Sequence, residues 1–137
     1  MADQTQFELV APERLLVSEP VDMVVLPGAE GDFGVLPGHA PFVTTVRPGV
    51  IAVYQQGTVR DRIFVAGGFA EVTPERCTVL AEEASMLADL DRARIEGDLR
   101  DAREDVAETK DEAERDRIAG RIAVAEAKLA ALDNPVY

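Results

Sequence analysis

Lysine is almost missing from this protein: among 137 residues only Lys110 and Lys128 occur, both in the C-terminal half. The Asp32-Phe33-Gly34 triplet therefore has no lysine ahead of it. A protein kinase needs an upstream strand lysine to hold the phosphates, so the triplet is not a kinase element. The same gap removes a P-loop, whose lysine follows a glycine turn. Gly67-Gly68 has no G-x-G-x-x-G around it, which removes the dinucleotide fingerprint as well. Basic side chains are scarce altogether, with 14 Lys+Arg against 26 Asp+Glu and a net charge of -12. Nucleic acid and anionic lipid both require a basic face, so neither is an expected partner. The charge favours solubility and a protein partner with basic patches.

Cys77 and His39 are each the only residue of their type. One of each makes neither a disulfide nor a metal site, which needs three or four ligands, and the lone thiol fits a reducing compartment. The only serines, Ser18 and Ser85, lie outside any nucleophile elbow. No run approaches the ~18 apolar residues of a membrane helix, and MADQTQFELVAPE lacks the basic start and apolar stretch of a secretory signal. A cytosolic protein, or one peripheral to a membrane, is expected. Tryptophan is absent and aromatics reach only 5%, yet 47% of the residues are apolar. That is enough for the core of one domain, or one domain with an appendage.

Two textures divide the sequence. From about residue 5 to 82, FELVA, RLLVS, VDMVVL, FVTTV, GVIAVY, RDRIFVA, FAEV and RCTVLAE are short β-rich runs punctuated by Gly and Pro. TVRDRIFVA alternates as a half-buried strand should. Such spacing predicts an antiparallel sandwich or a flattened barrel. After Ser85, Ala, Glu, Asp, Arg and Leu take over. Ile95, Leu99, Ala102 and Val106 form one narrow seam, and Ile118, Ile122, Ala125, Leu129 and Leu132 another, each wide enough for one partner helix. Two antiparallel helices are predicted, joined near residues 107–111. Asp89 reads as the N-cap of the first, and Thr109-Lys-Asp-Glu112 reads as a capping box for the second. Gly97 and Gly120 fall inside these helices, where each costs about 1 kcal/mol against alanine. Close helix packing and a hairpin able to bend or undock both account for them.

Few residues remain as candidates for chemistry. His39 reads either as a general base beside a carboxylate or as a turn histidine between Gly38 and Ala40. The adjacent acidic pairs Glu82-Glu83 and Asp111-Glu112 point apart on any regular element and read as solvated charge. Asp91 and Arg94 share a helix face, either as an intrahelical ion pair or as a nucleotide site with Arg94 on phosphate.

Three stretches are more specific. GDFGVLPGHAP, then FVAGGFAEVTPERCTVLAEEA, then LDRAR resemble, in order and spacing, the epsilon subunit of bacterial F-type ATP synthases. The resemblance runs from about Gln6 into the second helix. It implies a β-sandwich of about ten strands (residues 1–86) followed by an antiparallel two-helix hairpin (87–137). It also implies a non-catalytic rotor subunit that fastens gamma to the c-ring at the cytoplasmic face of the inner membrane, associated with the membrane only through the complex. By the same resemblance Glu30 and Gly31 contact the c-ring and His39 contacts gamma. The hairpin is regulatory, meeting the alpha/beta head transiently. No cofactor is implied except a regulatory ATP that some members bind through a motif like Leu90-Asp91-x-x-Arg94. Here Ile95 replaces that motif's usual alanine, and Asp101 stands where a further arginine is used.

Overall fold

The computed structural model describes residues 3–134. Ten strands come first: β1 (Thr5–Ala11), β2 (Arg14–Val21), β3 (Met23–Gly28), β4 (Gly31–Val35), β5 (Phe42–Val46), β6 (Gly49–Gln55), β7 (Thr58–Val65), β8 (Gly68–Val72), β9 (Arg76–Ala81) and β10 (Ala84–Met86). A 3-10 turn at Leu87–Asp89 leads into helices α1 (Arg92–Glu108) and α2 (Glu112–Asp133). The eight β-rich runs all appear as strands. The two further strands are β10 and β4, and β4 carries the Asp32-Phe33-Gly34 triplet. Its sequence GDFGV is too short and glycine-rich to show a period of two. It is a strand because it pairs with β3 from Val24↔Val35 to Gly28↔Gly31.

The strands form one sheet in the order β10-β7-β6-β3-β5-β8-β9-β1-β2, with β4 also on β3. β3 and β5 share a single pair, Gly28↔Val46, and there the sheet turns over into two facing layers. All neighbours are antiparallel except β1 and β9. Those two strands are far apart in sequence, so no hairpin constrains their direction. Phe7, Leu9, Val72 and Val79 from one layer pack with Leu26, Val35, Ile51 and Val65 from the other. Each large side chain fully buried there stabilises the fold by about 1.5–3 kcal/mol.

The alternation predicted for TVRDRIFVA holds for its first half only. Ile63, Phe64 and Val65 are all buried, because α2 covers the outer face of β6 and β7. Phe64 there packs with Val50, Ala66 and Ala131. The two helical seams meet as expected, with Ile95, Leu99 and Ala125 at the centre and Ile122, Leu129 and Leu132 around them. Arg92–Asp133 at 2.5 Å and Arg103–Glu126 at 3.1 Å cross between the helices. These exposed pairs are worth under about 1 kcal/mol each and set register more than stability.

Both helix starts differ from the sequence expectation. Asp89 lies in the 3-10 turn, and Asp91 is the N-cap of α1, its carboxylate accepting the Arg94 N–H at 3.3 Å. Asp91 and Arg94 are thus joined through the backbone, as a cap is, and this contact is not a side-chain ion pair. Thr109 terminates α1 in extended backbone, and Asp111 caps α2 by accepting from the Ala113 N–H at 3.2 Å. The capping box is not formed, because an Asp nearer the first turn takes the role. Close packing does not explain the helical glycines. A Cβ on Gly120 would meet nothing within 4 Å, and one on Gly97 only the tip of Arg100 at 3.7 Å.

Candidate binding surface

The β3–β4 turn is shaped by its glycines. A Cβ on Gly28 would lie 2.9 Å from both the Phe33 ring and the Gly31 carbonyl, so only glycine lets the two strands close so tightly. Gly31 has φ +136°, outside the range of ordinary side chains. Ala29 and Glu30 form the exposed tip between them. Beside the tip is an open cleft of about 370 Å³ lined by Glu30, Gly31, Phe33, His39 and Phe42. Phe33 meets Phe42 edge-on with centroids 5.4 Å apart, and its ring lies 6.4 Å from that of His39. The fold therefore brings Glu30, Gly31 and His39 to one end of the sandwich.

His39 is half-buried, and its Nδ1–H donates to the Ala40 carbonyl at 2.7 Å. In the neutral ring this leaves Nε2 as an acceptor for a partner. The nitrogen engaged within the protein thus meets a backbone carbonyl, the arrangement of a turn histidine. Burial pushes the Cys77 thiol up to about 12, so it stays protonated in the core and is no nucleophile. Among the described residues no group of three or more His, Cys, Asp and Glu is placed to hold a metal. No described helix is long and apolar enough to cross a membrane.

A second feature is not legible as a unit in the sequence. Strand register aligns Leu15, Val10, Leu80, Phe69 and Thr45 in one row across β2, β1, β9, β8 and β5. Three of them are large, apolar and more than half exposed: Leu15 at 59%, Leu80 at 55% and Phe69 at 56%. In a protein this acidic, such a contiguous apolar band on a sheet's outer face marks a place for a protein partner.

The hairpin is seated on the opposite layer. Lys128 on α2 donates to Glu83 at 2.8 Å, and its Nζ stands 5.8 Å from the Phe64 ring centroid. Arg115 donates to the Val106 and Thr109 carbonyls and so covers the end of α1, while Arg117 pairs with Glu114 and Arg121 with Asp105.

Comparison with known proteins agrees with this arrangement. The family model described as the ATP synthase delta/epsilon chain beta-sandwich domain matches residues 4–86. That of the C-terminal domain of the ATP synthase epsilon chain matches residues 91–135. The ATP synthase epsilon chain of Rhodospirillum rubrum is 58% identical over 131 residues, covering 96% of this protein and 98% of the relative. That of Rhodospirillum centenum is 59% identical over 134 residues, with 94% and 92% covered. One subunit in the cryo-EM structure of the Euglena gracilis mitochondrial ATP synthase superposes with a TM-score of 0.82 at 30% identity, covering 95% of this protein and 82% of that subunit. With both halves matched in order and the relatives spanned almost end to end, the protein belongs to the ATP synthase epsilon chain family.

Proposed function

We propose that this protein is a non-catalytic subunit of the rotor, whose sandwich fastens gamma to the c-ring so that proton-driven rotation is coupled to ATP synthesis. It works at the cytoplasmic face of the bacterial inner membrane and reaches the membrane only through the complex. The observation that carries the reading is the exposed apolar row through Leu15, Leu80 and Phe69. A rotating joint needs a stable contact, and burying such a row against gamma supplies one without any reacting group. The end bearing Glu30 and Gly31 faces the polar loops of the ring, and His39 beside it touches gamma. The Euglena relative comes from an assembly that includes a c-ring, which supports a place in such a complex. A tagged form of the protein is expected to copurify with gamma; recovery without gamma overturns the assignment.

Asp91 and Arg94 are assigned to the start of α1 rather than to a nucleotide, since Asp91 Oδ1 already accepts the Arg94 N–H as the helix cap. Submillimolar Mg-ATP binding in a calorimetric titration reverses that assignment.

The hairpin is proposed to approach the alpha/beta head only transiently and to inhibit weakly. From Asp89 onward it carries fourteen acidic and nine basic residues, a net of -5. An acidic target on the head therefore meets like charge. A local basic cluster, Arg115, Arg117 and Arg121, is already engaged within the hairpin. Removing residues 89–137 should leave ATP hydrolysis by the assembled complex nearly unchanged. A several-fold rise contradicts weak inhibition.

A further inference from the structure

Arg47 stands just past the end of β5, on the segment that crosses from one layer to the other. Its guanidinium forks over the base of the β3–β4 turn. Nη1 donates to the Gly28 carbonyl at 2.5 Å, and Nη2 pairs with Asp32 Oδ1 at 2.5 Å. Gly28 and Asp32 flank the tip on its two sides, so one rigid planar group ties the ascending strand to the descending one. The Arg47 N–H also donates to the Pro27 carbonyl at 2.9 Å, and the Ala29 N–H donates to the Thr45 carbonyl at 3.1 Å. Three of these ties hold the base of the turn and the fourth holds the backbone of Ala29, so the Glu30 side of the tip is left projecting. This is more than an exposed ion pair of the usual kind. A guanidinium that spends one nitrogen on a carbonyl and another on a carboxylate fixes direction as well as distance.

We propose that Arg47 is a positioning residue: it holds the Ala29–Glu30 tip at the angle at which Glu30 and Gly31 meet the c-ring, without touching the ring itself. This rests on the reading above that the turn faces the ring. The chemistry that recognises the tip is a polar loop with a cationic or amide donor for the Glu30 carboxylate. Without the guanidinium only backbone hydrogen bonds hold the turn, the tip samples more directions, and the contact bears the cost of ordering it. Arg47→Lys keeps the charge and one contact but cannot make both, so it should rescue only in part.

The test uses the full-length protein and two probes, purified gamma alone and purified gamma–c-ring complex. Arg47→Ala should weaken binding to gamma–c-ring about tenfold and leave binding to gamma alone unchanged. Arg47→Lys should fall between. Glu30→Arg should weaken gamma–c-ring binding as well, and the Arg47→Ala/Glu30→Arg pair should lose less than the product of the two single losses. Equal weakening toward both probes makes Arg47 a general stabiliser and overturns the proposal. Unchanged ring binding by Arg47→Ala, with Glu30→Arg still weakened, also overturns it. If Glu30→Arg leaves ring binding intact, the turn does not face the ring, and both the reading and the proposal fall.

Discussion

The Phe69→Asp variant should fold normally and no longer copurify with gamma. Phe69 projects from the outer face of β8 and is 56% exposed, so the substitution removes little from the core. Its cross-strand neighbours are Leu80 and Thr45, neither of them charged, and the melting temperature should therefore move by only a few degrees. At a docked interface the consequence is different. A carboxylate placed in the middle of an apolar row is desolvated without a partner, which costs several kcal/mol on top of the lost ring contact. Central aromatic anchors commonly carry about 2 kcal/mol or more by themselves, roughly thirtyfold in affinity. The loss expected for Phe69→Asp is hence at least about a hundredfold. Glu71, on the same strand and the same outward side, is already charged and serves as the control through Glu71→Gln, which should leave capture intact. Capture of gamma by a folded Phe69→Asp variant places the joint on some other surface.

This surface is hidden in the sequence for a physical reason. Phe69, Leu80 and Leu15 each adjoin another apolar residue, in GGFA, TVLA and RLLV. A period of two cannot tell which member of such a run points out. Only the register of five strands, including the parallel β1–β9 pair, lines them up. The strands themselves are legible wherever a run of β-formers lies between turn residues. GDFGV is not such a run, and tertiary pairing with β3 decides it instead. The hairpin seams are legible because a heptad-like spacing survives without knowledge of the partner. The helix starts differ from expectation by a residue or two, since Asp89, Asp91, Thr109 and Asp111 are all good caps in isolation. The turn before each helix selects among them. Glu30 and His39 are separate positions in a glycine-rich stretch; the closing of β3 on β4 sets them round one cleft. The roles of Arg47 and Lys128 leave no local signal, because they depend on carbonyls and carboxylates distant in sequence.

The largest loss of stability is expected from Gly68→Ala. Gly67-Gly68 joins β7, in one layer, to β8 in the other, and the backbone makes that passage only in conformations closed to ordinary side chains. Gly67 has φ +123° and Gly68 φ +147°. Gly68 also sits between Val46 and Ala81 in the sheet, and a Cβ there would lie 2.0 Å from the Leu80 carbonyl oxygen and 3.0 Å from the Ala81 Cα. Both obstacles are backbone, so no rotamer change relieves them; the strand must move away or φ must flip. Either way the β5–β8–β9 ladder opens beside Val46 and Ala81, which are core residues. Strain of this kind costs about 1–3 kcal/mol, and the steric conflict with lost ladder bonds adds to it. A total of about 4 kcal/mol is a large share of the stability of a domain this size. Gly57→Ala is the reference for a positive φ without a steric conflict. Gly57 also has a left-handed backbone, φ +79°, yet a Cβ there would meet nothing within 4 Å. It should lose only about 1 kcal/mol, the cost of the conformation alone. Chemical denaturation of the two variants side by side decides the matter. Equal midpoints for Gly57→Ala and Gly68→Ala mean that the Leu80 carbonyl yields freely, and that the layer crossing is held by backbone conformation and not by contact.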